Sequence, residues 1–130
     1  MRQAGGAAFA TGAYGSPLSV EEEGILIDGA ALLYEVFEDM KNKTPVPKIA
    51  ARFHNTLAQA TAAAAAIASQ QCGCKTVCLS GGVFQNAFLV ERLVPLLQQA
   101  GLMPILHRRT PPNDECISYG QMVVAGAGRI

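Results

Sequence analysis

The chain has 130 residues, half of them apolar and 15% charged, which fits one folded domain with a real core rather than a disordered segment. Its 10 Lys and Arg balance 10 Asp and Glu, and no basic run exceeds Arg108-Arg109, so it carries no electrostatic footprint for nucleic acid. No apolar stretch is long enough to span a bilayer, and the opening MRQAGGAAFATG lacks the apolar core of a signal peptide, so the expected location is cytoplasmic, away from membranes.

Residues 1–20 are rich in Gly, Ala and Ser, are broken at Gly15-Ser16-Pro17, and show little periodicity. Residues 1–23 therefore read as a linker or the end of a preceding lobe, and residues 24–130 as the folded lobe. Gly24 to Ile27 is a short candidate for a buried strand. Asp28 stands where an N-cap belongs, ahead of a helix over 30–41 with Leu33, Phe37 and Met40 on one inward face. Thr44 and Pro47 open a long helix to about Gln71. Ile49, Phe53, Leu57, Ala60, Ala64 and Ile67 form its stripe, and the alanines at 62–66 give it a thin profile that lets another backbone pack closely.

A strand at 77–79 follows, then Ser80-Gly81-Gly82, and a helix expected from Val83 to Ala100. Phe84, Phe88, Leu93, Leu96 and Leu97 face inward on that helix, and Gly101 ends it. Met103 to Leu106 form another strand, Pro111-Pro112-Asn113-Asp114 a rigid turn, and 116–127 the last helix. Alternating strands and helices with short loops predict an α/β fold, a small parallel or mixed sheet flanked by helices. Cys72, Cys74 and Cys78 cluster without paired C-x2-C spacing and Cys116 stands alone, so structural thiols are favoured over a metal cluster, with Cys78 a small hydrophobe in its strand.

The stretch TVCLSGGVFQN, residues 76–86, is the richest in chemistry. A strand that empties through paired glycines onto a helix start leaves N–H groups without acceptors and lets an anion approach the backbone closely. It matches neither G-x-G-x-x-G nor the P-loop, and a tight turn without a ligand is the other reading. Asn86, with an amide that both donates and accepts, suits either a ribose or base edge or a helix cap. Asp114 suits either a divalent cation or the N-cap of the last helix. His54 beside Phe53 is either an acid or base of near-neutral pKa or a packed histidine. His107, Arg108 and Arg109 face a ligand or simply end a strand in solvent.

Taken together, SGGVFQNAFLVERL at 80–93, LHRRTPPNDECISYGQ at 106–121 and ARFHNTLA at 51–58 resemble the end of the HypF carbamoyltransferases of [NiFe]-hydrogenase maturation, over roughly residues 24–130. The resemblance implies one ribonuclease-H-like lobe of an actin-like ATPase fold, similar to the tRNA threonylcarbamoyl transferase, with a small, mostly parallel sheet flanked by helices. It implies that ATP and carbamoyl phosphate give carbamoyl adenylate, whose carbamoyl group passes to the C-terminal cysteine of a partner maturation protein. By that likeness Gly81 and Gly82 lie at the phosphate of a nucleotide, and the Val83 amide and the Asn86 side chain join them as candidate nucleotide contacts on their own chemistry. Asp114 joins a divalent metal, Mg or Fe/Zn, with Asn113 orienting it, and His54 is a candidate catalytic residue. The metal-binding histidine pair and the earlier regions of that family have no counterpart here, so the chain reads as a C-terminal lobe made as a fragment. Relatives often carry Gly-Gly where this chain has Glu115-Cys116.

Overall fold

The computed structural model describes residues 12–21 and 24–128; residues 1–11, Glu22 and Glu23 of the linker expected over 1–23 lie outside the described residues. Part of the stretch read as linker is ordered into a strand. β1 (Leu18–Glu21) pairs antiparallel with β2 (Gly24–Ile27), from Leu18 opposite Ile27 to Glu21 opposite Gly24. Pro17 is buried and its carbonyl accepts from the Asp28 N–H at 2.8 Å. β2 is half-buried rather than fully buried: Ile25 and Ile27 are turned partly inward while Leu26 is exposed.

Asp28 caps α1 (Gly29–Lys41) as expected, its Oδ1 accepting from the N–H groups of Ala30 and Ala31 at 2.9 and 3.0 Å. The inward face of α1 is not the expected one. Leu33, Phe37 and Met40 are exposed, and Leu32 is the buried residue. Periodicity identifies an apolar face, but only packing decides whether that face is covered.

α2 (Val46–Cys72) starts with Pro47 in its first turn and ends at Gly73, whose φ of 71° is the left-handed cap that glycine adopts without strain. Its alanines do what a thin profile allows. Ala58 and Ala62 are buried against Leu89, Leu93 and Leu97 of α3 (Ala87–Gln99), and Leu79 and Leu102 complete this core. α3 begins at Ala87 rather than Val83, because residues 82–85 form a 3-10 turn and Asn86 is extended, with φ −75° and ψ 96°. Leu93 and Leu97 point inward as expected, Phe84 and Leu96 pack partly on the core, and Leu89 is an additional buried residue.

β3 (Thr76–Leu79) and β4 (Met103–Leu106) pair in parallel, in register from Thr76 beside Met103 to Leu79 beside Leu106. The α/β class stands. Parallel pairing is confined to this pair, however, because the described strands form two separate two-stranded sheets. Cys78 lies on the exposed face of β3, not in the core, and Cys72 and Cys74 are exposed as well. α4 (Glu115–Ala127) closes the described chain with no buried residue. No described helix is long and apolar enough to cross a membrane.

Candidate functional site

The parallel pair β3–β4 delivers two loops to one edge. Because Leu79 sits beside Leu106, the next residues, Ser80 and His107, emerge side by side. Ligands of open α/β sheets bind outside the carboxyl ends of such strands. The His107 imidazole bridges the loops, with Nε2 3.0 Å from Ser80 Oγ and Nδ1 3.1 Å from Thr110 Oγ1. The Gly81 N–H donates to the Pro112 carbonyl at 2.6 Å, which docks the Pro-Pro-Asn-Asp turn directly on the glycine turn.

Gly81 has φ 111° and ψ 156°, a conformation essentially reserved for glycine. A Cβ at Gly82 would meet nothing within 4 Å, so open space lies beside the backbone there. The N–H groups of Gly82 and Val83 donate to no acceptor among the described residues. Uncommitted amides beside open space suit a close-approaching anion.

Asp114 occupies the N-cap position of α4 but makes no side-chain cap bond. The cap is supplied one residue earlier: Asn113 Oδ1 accepts from the Glu115 N–H at 3.2 Å, and the Asn113 carbonyl accepts from the Cys116 N–H at 3.2 Å. Asn113 is thus committed to the helix start and makes no hydrogen bond to Asp114. The exposed Asp114 carboxylate can offer a hard oxygen ligand to a divalent cation. Among the described residues no three His, Cys, Asp or Glu side chains converge on a metal-sized site, so Asp114 would be one ligand of a shared set.

Asn86 and His54 come together across the α2–α3 contact. Asn86 is the N-cap of α3 rather than a residue of its first turn; its Oδ1 accepts from the Leu89 N–H at 3.2 Å. Its Nδ2 lies 2.8 Å from His54 Nε2, while His54 Nδ1 lies 2.8 Å from the Ala50 carbonyl. Both ring nitrogens of His54 are therefore engaged. A shallow cavity of about 340 Å³ opens here, lined by Pro47, Ala50, Ala51, His54, Asn86 and Phe88. No hydrogen bond joins His54 to the glycine turn or to Asp114, and Arg108 and Arg109 are exposed. Sequence reasoning missed Ser80, Thr110 and Pro112 as loop-bridging residues. For Ser80 the signal was available: it directly follows one parallel strand as His107 follows the other.

The family described as "Carbamoyltransferase, Kae1-like Domain, second subdomain" matches residues 6–121, beginning well before residue 24. The chain is 34% identical over 110 residues to the carbamoyltransferase HypF of Synechocystis sp., covering 85% of this chain and 14% of that one. It is 37% identical over 93 residues to the carbamoyltransferase HypF2 of Cupriavidus necator, covering 72% and 12%. A crystal structure of full-length HypF in the phosphate- and nucleotide-bound form superposes with a TM-score of 0.79 at 34% identity, over 88% of this chain and 15% of that one. The chain thus spans about 14% of the length of such relatives, and it belongs to the HypF carbamoyltransferase family, whose Kae1-like second subdomain it matches.

Proposed function

We propose that the chain works as the second subdomain of an ATP-dependent carbamoyltransferase in [NiFe]-hydrogenase maturation, in the cytoplasm. The transferase takes ATP and carbamoyl phosphate to carbamoyl adenylate, then passes the carbamoyl group to the C-terminal cysteine of a partner maturation protein. In the transfer the thiolate sulfur attacks the carbamoyl carbon, a C–S bond forms, and the C–O bond to the AMP phosphate breaks, releasing AMP. The attacking sulfur belongs to the partner, so this chain contributes position and charge rather than a nucleophile. The amides of Gly82 and Val83, on the turn that Gly81 shapes, hold phosphate, Asn86 contacts the nucleoside, and Asp114 supplies one ligand to a divalent cation, Mg or Fe/Zn. A bound cation would neutralise charge on the phosphate.

The observation that carries this reading is the 2.6 Å bond from the Gly81 N–H to the Pro112 carbonyl, which holds the glycine turn and the Asp114 turn on one edge. The test is Asp114→Ala in a full-length HypF carrying this chain, with carbamoyl transfer and pyrophosphate release followed together. Transfer is expected to drop by about 100-fold, a usual cost of losing one charge-stabilising group, while pyrophosphate release continues. If both proceed unchanged, Asp114 has no part in the chemistry. A docking lobe without catalytic residues then becomes the better reading, one that the exposed Leu33, Phe37 and Met40 of α1 already favour.

A further inference from the structure

The tautomer of His54 follows from its neighbours. The Ala50 carbonyl, 2.8 Å from Nδ1, can only accept, so Nδ1 carries the proton and Nε2 presents a lone pair. That lone pair accepts from Asn86 Nδ2 at 2.8 Å. The opposite end of the same amide is fixed independently, because Oδ1 must accept from the Leu89 N–H at 3.2 Å. Both constraints require the same amide orientation. The donors run in one direction, from Leu89 N–H to Asn86, from Asn86 to His54, and from His54 to Ala50, so each bond polarises the next. The ring is held edge-on between Phe53 and Phe88, with centroids 5.7 and 5.1 Å away and interplanar angles of 80° and 83°.

We infer that His54 is a positioning residue: its neutral imidazole fixes the amide of Asn86 so that one N–H and one oxygen lone pair remain for a nucleoside. This rests on the proposed nucleotide reading of Asn86. The remaining pair matches a neutral group that both accepts and donates, such as a ribose hydroxyl or the edge of a base, and not a phosphate. An imidazolium cannot accept at Nε2. Protonation therefore sets two donors against each other, and turning the amide over would forfeit the bond that caps α3. Along the two packed helices the closest charged residues in sequence to His54 and Phe88 are Lys48 and Arg52 on α2 and Glu91 and Arg92 on α3, and none of them hydrogen-bonds the ring. Arg92 is stacked over Phe88, its guanidinium carbon 3.2 Å from the ring centroid.

Two measurements test the inference. In NMR spectra of this chain, His54→Leu should move the Asn86 side-chain amide and the Leu89 backbone amide, and His54→Gln should return both toward their wild-type positions. Asn86 and Leu89 amides that stay in place in His54→Leu overturn the relay. In full-length HypF carrying this chain, His54→Leu should weaken ATP binding at pH 8 by about 5- to 10-fold, the usual effect of one lost hydrogen bond. His54→Gln, whose Oε1 accepts where Nε2 did, should bind within about 3-fold of wild type at the same pH. If Asn86→Ala weakens ATP binding and His54→Leu does not, the positioning role is wrong. If Asn86→Ala leaves ATP binding intact, the nucleotide reading fails, and the NMR comparison of the His54 variants still decides the relay.

Discussion

Asp39 binds three side chains that approach from different parts of the chain. The Tyr14 hydroxyl donates to it at 2.8 Å, the Thr44 hydroxyl at 3.0 Å, and Arg52 Nη1 to both oxygens at 2.9 and 2.7 Å. The Arg52 guanidinium is the main reason the Asp39 carboxyl is held below its ordinary value of 3.8. A lowered native pKa adds stability above the unfolded value, and that stability drains away as pH falls through the native one. Asp39→Asn should therefore flatten the acid-unfolding profile below pH 3.8 in a circular-dichroism titration. The Tyr14 phenol is pushed up to about 12, first by burial and then by its bond to the Asp39 carboxylate. Its contribution is complete below the unfolded value near 10 and is lost as pH rises through about 12. Tyr14→Phe should cost about 1 kcal/mol in denaturant unfolding and abolish a late phenolate absorbance change. None of this was legible in sequence. Tyr14 and Arg52 are 38 positions apart and both polar, whereas the Asp28 cap was legible because its partners are two and three residues away.

At the scale of the element, the α2–α3 seam depends on small residues meeting large ones. Ala58 is fully buried and Ala62 nearly so, and the facing leucines of α3 fill the space their short side chains leave. Ala62→Leu should lower stability by about 1–3 kcal/mol in urea unfolding, because a packed interior does not accept added methylenes. Ala63→Leu, one position on and exposed, should stay within about 0.5 kcal/mol of wild type. This contact was readable from the alanine run, since composition fixes helix thickness wherever the partner lies. The start of α3 was not readable. Asn86 takes an extended conformation to cap Leu89, and a run such as Val83-Phe84-Gln85-Asn86-Ala87 does not announce that break. Gly81 and Gly82 were legible as a turn, but the docking of Pro112 on that turn depends on a strand register that only the folded chain sets.

Across the whole molecule, burial is uneven. The seam between α2, α3 and the inner face of β3–β4 is well covered, while Met103 and Ile105 lie exposed on the outer face of the sheet. α4 is the extreme case. Ile117, Tyr119, Met122, Val123 and Val124 are all more than half exposed, and no residue of the helix is buried. A helix of 13 residues with no buried side chain is marginal in water, because nucleation costs more than so few hydrogen bonds return. The expected result is an uneven hydrogen-exchange map of this chain. Amides of α4 should exchange within about tenfold of the unprotected rate, while those of α3 at Leu93 and Leu97 should need global unfolding. Tyr119→Gly, at an exposed site, should leave the urea midpoint of the α2–α3 core unchanged, because a helix with no buried residue adds little to the core's cooperative transition. In full-length HypF carrying this chain, the same α4 amides should exchange at least about 100-fold more slowly if neighbouring parts of the protein cover the helix. Equal exchange in both settings would mean that the apolar face of α4 stays open in the longer protein, available to a partner rather than to its own chain.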